Sequence, residues 1–361
     1  MGTQEKTPQP QTLSFWGKLD VILAAISVVS TTVWSVFTSF RRSEKDAPSL
    51  LLHVGYASLR KATRRLSVLQ LQWISPSTDE MYEKYARSIR IAPTTVAFGS
   101  NGAKGHWIGN KDAKHVLIWY HGGGFCLPAN AGYFEFLNDL VEASGKAGND
   151  LAVFVLTYTL APHARYPTQL TQAVETLRYI ISDTRRRPSE ILLGGDSAGG
   201  NLAIGVLSHL AHPHPEIPRV DLNEPLAGTV LISPWTSLDE KNSDKDVYSG
   251  GDIITPYVGR PWSRHYLGGA SRDNYTDASD APPSWFETYL VEKILVLAGG
   301  NEILKSNIDE FVTNLKAGFR SVEYFVGHRE GHVAPIYNIY VGDSKETQQG
   351  EKLKAWLQEI L

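Results

Sequence analysis

Ser197 sits in Gly194-Gly195-Asp196-Ser197-Ala198-Gly199-Gly200, between the apolar strand-like run Glu190-Ile191-Leu192-Leu193 and the helix-like run Asn201 to Leu207. A G-x-S-x-G at a strand-to-helix junction forces the serine onto a sharp turn. Gly195 and Gly199 remove side chains that would collide there, and the hydroxyl is left exposed above the sheet. That placement suits a serine that attacks an acyl carbon.

A second glycine-rich segment, His121-Gly122-Gly123-Gly124-Phe125, follows the strand-like run Val116 to Tyr120. With no Cβ in the way, its backbone N–H groups can turn toward one point and hold the oxyanion of a tetrahedral intermediate. Gly123 and Gly124 take that role, with the Ala198 amide as third donor. A phosphate-cradling loop is the competing reading. No G-K-S or G-K-T follows, and no G-x-G-x-x-G with a partner acid lies on a strand-to-helix turn.

Eleven histidines are present. In this arrangement the chain order is serine, acid, histidine. His332, in Glu330-Gly331-His332-Val333-Ala334-Pro335, lies just past the strand-like run 322–326 and is the expected base; Gly331 lets its loop turn. His328 is the rival. The strand-like Lys293 to Ala298 ends in Gly299-Gly300, and Glu302 follows as the expected acid. It would orient the imidazole and stabilise its charged form. Asp309 is the fallback, a turn or two deeper into the next helix.

These motifs resemble the hormone-sensitive lipase branch of the α/β-hydrolase superfamily. The branch's HGGG corresponds to His121–Gly124, its GDSAGG to Gly195–Gly200, and its Y-x-L-A-P segment to Tyr158–Pro162, with Tyr166-Pro167 after it. The likeness covers roughly residues 91–361. Tyr158 to Pro167, with Thr168-Gln169-Leu170 and Gln172-Ala173, is especially similar to fungal members of the steryl acetyl hydrolase type. Two departures stand out. The branch usually has an aspartate as the acid, where this chain offers Glu302, and the acidic residue that usually follows Ala-Pro is His163. The resemblance implies acetyl or short-acyl esters of bulky apolar alcohols as substrates, with no cofactor.

The elements that must position these residues follow from alternating patterns. Strands are expected at 94–99, 105–109, 115–120, 151–157, 190–195, 228–233, 293–298 and 321–326. Helices are expected around 132–147, 169–184, 198–211, 306–318 and 344–361. Such alternation means an α/β fold, a mostly parallel eight-stranded sheet with helices on both faces. Residues 91–361 form the expected catalytic domain. Residues 236–290, rich in Gly, Pro, Asp and aromatics, read as an inserted lid that forms a helical cap with residues 1–90. Trp235, Tyr248, Trp262 and Trp285 are the expected substrate-binding residues. Tyr257, Tyr266 and Phe286 are further aromatic candidates, and ordinary packing of the lid would place all of them equally well.

Composition bounds the rest. The net charge of −3 gives no basic field for nucleic acid. The single cysteine, Cys126, excludes an internal disulfide and reads as a buried small residue. No Cys/His set has metal spacing, and prolines interrupt His209, His212 and His214.

At the front of the chain, Val21–Phe40 carries no charge and is about long enough to cross a bilayer. Its serines and threonines gather on one helical stripe, opposite Ile22, Ile26, Val29, Val33, Val36 and Phe40. The segment around 19–42 therefore spans a membrane, lies in its interface or caps the substrate pocket. A cleaved signal peptide fits poorly, because Arg41-Arg42 follows and no small-residue cleavage site is clear. Residues 41–90 hold ten Lys or Arg against five Asp or Glu. Membrane association is the expectation, with the endoplasmic reticulum as one location and the cytoplasm as the alternative. The positive flank favours a cytosolic catalytic part. The Asn274-Tyr275-Thr276 sequon points the other way, so orientation stays open.

Taken together, the residues suggest a serine carboxylester hydrolase. Alternatives on the same fold are acyl transfer, lactone formation or epoxide opening. A non-catalytic, hormone-receptor-like binder of small molecules is a different class. Oligomeric state is not legible.

Overall fold

The computed structural model describes residues 12–238 and 250–361. The described residues open with four α-helices: α1 (Phe15–Thr38), α2 (Leu50–Arg65), α3 (Val68–Ile74) and α4 (Thr78–Ser88). Serines start each one. Ser14, Ser49, Ser67 and Ser77 accept a backbone N–H from the first turn. At α3 and α4, Gln70 and Glu80 complete reciprocal capping boxes.

An eight-stranded sheet follows, in the order β1 (Thr95–Phe98), β2 (Ala103–Ile108), β4 (Leu151–Thr157), β3 (His115–Tyr120), β5 (Ile191–Asp196), β6 (Gly228–Ile232), β7 (Ile294–Gly299), β8 (Val322–Gly327). The β1–β2 and β2–β4 pairs are antiparallel and the rest parallel. Strands β3, β5, β6 and β7 are buried throughout, as expected when helices cover both faces. In β3 the alternation divides the core. Val116, Ile118 and Tyr120 enter one layer, and Leu117 and Trp119 the other.

The covering helices are α5 (Ala131–Lys146), α6 (Thr168–Ser182), α7 (Ala198–Ala211), α9 (Lys305–Gly318), α10 (Ala334–Tyr340) and α11 (Gln348–Ile360). Between β6 and β7 the described part of the insertion holds α8 (Gly259–Leu267) and a single 3₁₀ turn, Pro283–Trp285. The strand expectations fall within one or two residues of these bounds. The helix expected at 344–361 is shorter, and α10 precedes it, started by Val333 at φ +52°. Parallel strands present their C-terminal ends to one edge of the sheet, where ligands bind in open α/β folds. The loops after β3, β5, β7 and β8 carry the residues that matter below.

Candidate active site

The turn from β5 into α7 holds Ser197 at φ +49°, ψ −118°. Such a backbone costs a non-glycine residue on the order of 1–3 kcal/mol, so its surroundings must hold it there. Ser197 N–H donates to Ile232 O at 3.0 Å, and Ser197 O accepts from Trp235 N at 2.8 Å and Asn201 N at 3.1 Å. A Cβ on Gly199 would collide with the Tyr120 carbonyl, and one on Gly195 with the Gly199 carbonyl. Both glycines are therefore required by close backbone approach.

His332 hangs beyond β8, and its Nε2 lies 2.8 Å from Ser197 Oγ. Glu302 follows β7. Its Oε2 accepts from Gly299 N at 3.1 Å and from the Ser233 hydroxyl. That same oxygen is 3.8 Å from His332 Nδ1, an ion-pair distance and longer than a hydrogen bond. Glu302 Oε1 and His332 Nδ1 have no hydrogen-bond partner among the described residues. Burial alone would lower the His332 pKa. The Glu302 carboxylate, helped by Asp252 and Asp196, outweighs burial and leaves it raised from the ordinary imidazole value. Burial also raises Glu302, against the pull of His332 and Ser233.

His328 is exposed, and its backbone is tied to Gln348. Asp309 binds Lys305 Nζ at 2.6 Å and Tyr324 Oη at 2.6 Å. The structure brings His332 and Glu302, and not these two, to Ser197.

The loop after β3 is fastened from below. Gly122 N–H donates to Tyr133 Oη and Asp196 Oδ1, both at 3.1 Å, and Tyr133 Oη donates to Asp196 Oδ2 at 2.6 Å. Burial pushes the Asp196 carboxyl up to about 7, opposed by these same donors. Tyr158 Oη donates to His121 O at 2.9 Å. Gly123 and Gly124 take φ +96° and +59°, and a Cβ on Gly124 would strike the Trp262 indole. Among the described residues, the N–H groups of Gly123, Gly124 and Ala198 have no acceptor. Three unused donors beside a hydroxyl–imidazole pair can stabilise an oxyanion.

A cavity of about 310 Å³ reaches Ser197, Gly123, Gly124 and His332 and is lined by Trp235 and Trp262. Trp285 does not join it. Its ring stacks on His212 at 3.9 Å and its Nε1 donates to Ser208 Oγ, so α7 and the insertion take up its surface. Tyr248 lies outside the described residues. Tyr257 is exposed beneath Arg64, Tyr266 stacks on Phe125, and Phe286 packs on Phe311. His163 meets Gln72 Oε1 at 3.0 Å, and Gln72 in turn binds the Cys126 and Ala161 carbonyls. The histidine thus anchors α3 beside the glycine loop. Cys126 is fully buried with its thiol pKa raised by burial, which leaves it unreactive. Among the described residues, no set of three or more His, Cys, Asp or Glu could hold a metal.

Sequence reasoning missed Asp252. This carboxylate is 1% exposed. Its Oδ1 accepts from His332 N at 3.0 Å and Ile253 N at 2.6 Å, and its Oδ2 from Ile303 N at 2.7 Å. It therefore joins the loop carrying Glu302 to the loop carrying His332. Nothing local signals this, because all three partners are main-chain amides and two are remote in sequence. Asp252 is a positioning residue. Asp252→Ala is expected to lower kcat about 10- to 100-fold with little change in KM, since misplacement by 1 Å has effects of that order. It also removes a negative charge near His332, so the acidic limb of the pH profile should move to lower pH. An unmoved limb with reduced stability would indicate a merely structural role.

The alpha/beta hydrolase fold family matches residues 117–336, which include Ser197, Glu302 and His332. The chain belongs to the alpha/beta hydrolase fold family. Steryl acetyl hydrolase 1 of Saccharomyces cerevisiae is 25% identical over 241 residues, 62% of this chain and 54% of that protein. An esterase of Gibberella moniliformis is 32% identical over 193 residues, 51% of this chain and 54% of its own length. The chain thus spans about half the length of these curated relatives. A solved esterase of the bacterial hormone-sensitive lipase family superposes with a TM-score of 0.63 at 22% identity, covering 87% of this chain and 99% of its own. The chain therefore shares its fold with that esterase.

Proposed function

We propose that this hydrolase cleaves carboxylic esters with Ser197 as nucleophile. The observation that carries the reading is the 2.8 Å contact between Ser197 Oγ and His332 Nε2, beside three amides with no acceptor. Ser197 Oγ attacks the ester carbonyl as His332 takes its proton. The oxyanion rests on the amides of Gly123, Gly124 and Ala198. When the tetrahedral intermediate collapses, the C–O bond to the alcohol breaks and His332 returns the proton to the departing oxygen. Water, deprotonated by His332, then releases the acid and restores Ser197. Glu302 holds the imidazole's tautomer and stabilises its cation.

The substrate is an acetyl or short-acyl ester of a bulky apolar alcohol. The names of two relatives, a steryl acetyl hydrolase and an esterase, support the class, and the apolar lining of the cavity supports the alcohol. A ladder of p-nitrophenyl esters tests this. The acetate is expected to give a kcat/KM at least about ten-fold above that of the dodecanoate, a discrimination within reach of apolar pocket contacts. A profile that rises with chain length would overturn the short-acyl assignment. Absence of turnover on every ester would overturn the function.

The protein also associates with a membrane, through the segment 19–42. The one helix of the described residues that is long and apolar enough to cross a bilayer is Phe15–Arg41.

A further inference from the structure

Helix α1 is amphipathic the wrong way round for a helix that borders water. Most of its polar residues face the protein. Asp20 pairs with Arg65 at 2.5 Å and accepts from Gln70 at 3.0 Å, Thr32 meets Ser58 at 2.7 Å, and Ser35 is buried. Most of its large apolar residues face outward. Trp16 and Trp34 are 76% and 68% exposed, Phe40 in the 3₁₀ turn Ser39–Arg41 that extends the helix is 78% exposed, and Leu23, Ile26, Val29 and Val33 lie on the same side. At 1.5 Å per residue the helix is about 36 Å long. Aromatic rings stand at both ends, with Lys18 at one and Arg41 and Arg42 at the other. Aromatic and basic residues together are what the headgroup layer of a bilayer accommodates.

The packing also sets the orientation. The ties to α2 and α3 run from Gly17 to Thr32, so α1 cannot stand upright in a bilayer without drawing α2 in beside it. That helix carries Arg60, Lys61, Arg64 and Arg65, and charges at mid-membrane are costly. On its other side, α2 contributes Leu59, Ala62 and Thr63 to the cavity wall. Next to it on α3, Ile74 lines the cavity and is also exposed, and neighbouring Trp73 is exposed under the Lys18 ammonium of α1 at 5.7 Å. The outward face of α1 thus continues to the rim of the cavity.

We infer that α1 lies flat in the interfacial layer of a lipid bilayer and that ester substrate dissolved in that bilayer enters the cavity past Ile74. The entry step rests on the ester-hydrolase reading; the lipid contact does not. The full chain carrying Leu23→Glu, Ile26→Glu and Val33→Glu is compared with the wild type on vesicles of phosphatidylcholine and phosphatidylserine. Wild type is expected to float with the vesicles and the variant to stay in solution. On dissolved p-nitrophenyl acetate the two should have equal kcat/KM. On dodecyl acetate held in vesicles the variant should lose about ten-fold or more, because the interfacial anchor concentrates enzyme at its substrate. Orientation is read with bimane on Ile22→Cys, Val29→Cys and Val36→Cys, Cys126 being buried. A flat helix gives all three labels stronger quenching by a doxyl group near the headgroup than by one deep in the chain. A deeply quenched label at 29 alone means an upright helix and overturns the orientation. Wild type that leaves the vesicles and instead dimerises through this face overturns the lipid contact. Equal loss on both esters overturns the entry route, whereas no turnover of either ester with vesicle binding intact sinks the hydrolase reading alone.

Discussion

Ser197→Ala should lower kcat on p-nitrophenyl acetate by about 10⁴- to 10⁶-fold, with KM little changed. Removal of the nucleophile in a serine hydrolase forfeits effects of this size, because hydroxyl, imidazole and acid act as a unit. The residual rate comes from the amides and the cavity, which the substitution leaves in place. The fold should survive. Among the described residues Oγ makes one side-chain hydrogen bond, with His332, while the hydrogen bonds that hold the turn come from the main chain of Ser197. Steady-state kinetics with a thermal melt checks both parts. A loss of less than about ten-fold would mean another group attacks the ester.

Glu302→Gln should cost about 10³- to 10⁴-fold in kcat, the scale seen when an acid is replaced by its amide and the imidazole adopts the wrong tautomer. The pH profile gives the sharper reading. His332 must be neutral to take the serine proton, so activity falls as pH drops through its pKa. In the wild type Glu302 holds that pKa above the ordinary imidazole value against burial, which raises the acidic limb with it. Without the carboxylate charge, burial dominates, the pKa falls and the limb moves to lower pH on a lower plateau. The profile of kcat/KM between pH 4 and 9 decides it. Asp309→Asn serves as the comparison and should leave both plateau and limb in place, because Asp309 binds Lys305 and Tyr324 instead. A limb unmoved in Glu302→Gln would mean that another group holds the histidine cation.

The parts legible in the sequence are those whose causes are local. The apolar runs of β3, β5, β6 and β7 are buried on both faces, so their patterns are continuous and their bounds sharp. Gly195, Gly199 and Gly123 are required by collisions with backbone atoms of the turns themselves or of the strand and loop beside them, which a short motif records; the collision at Gly124, with Trp262 of α8, is not local. Asp252 was not legible, because its role depends on bringing together amides at 303 and 332. Trp285 was not separable in sequence, because an aromatic residue in an insertion fits a substrate pocket and ordinary packing equally, and its stack on His212 is what distinguishes the two. The stripes of α1 were visible in sequence, but not which stripe faces the protein. The Asp20–Arg65 pair and the Thr32–Ser58 bond settle that.

The most direct measurement is covalent labelling by a fluorophosphonate, followed by peptide mapping. Phosphorus is attacked by an activated serine, and fluoride leaves as the serine proton passes to the imidazole. A single adduct on the peptide containing Ser197, present in wild type and lost in His332→Ala, is the result expected. An unlabelled wild-type protein, or an adduct on a different residue, would contradict the account.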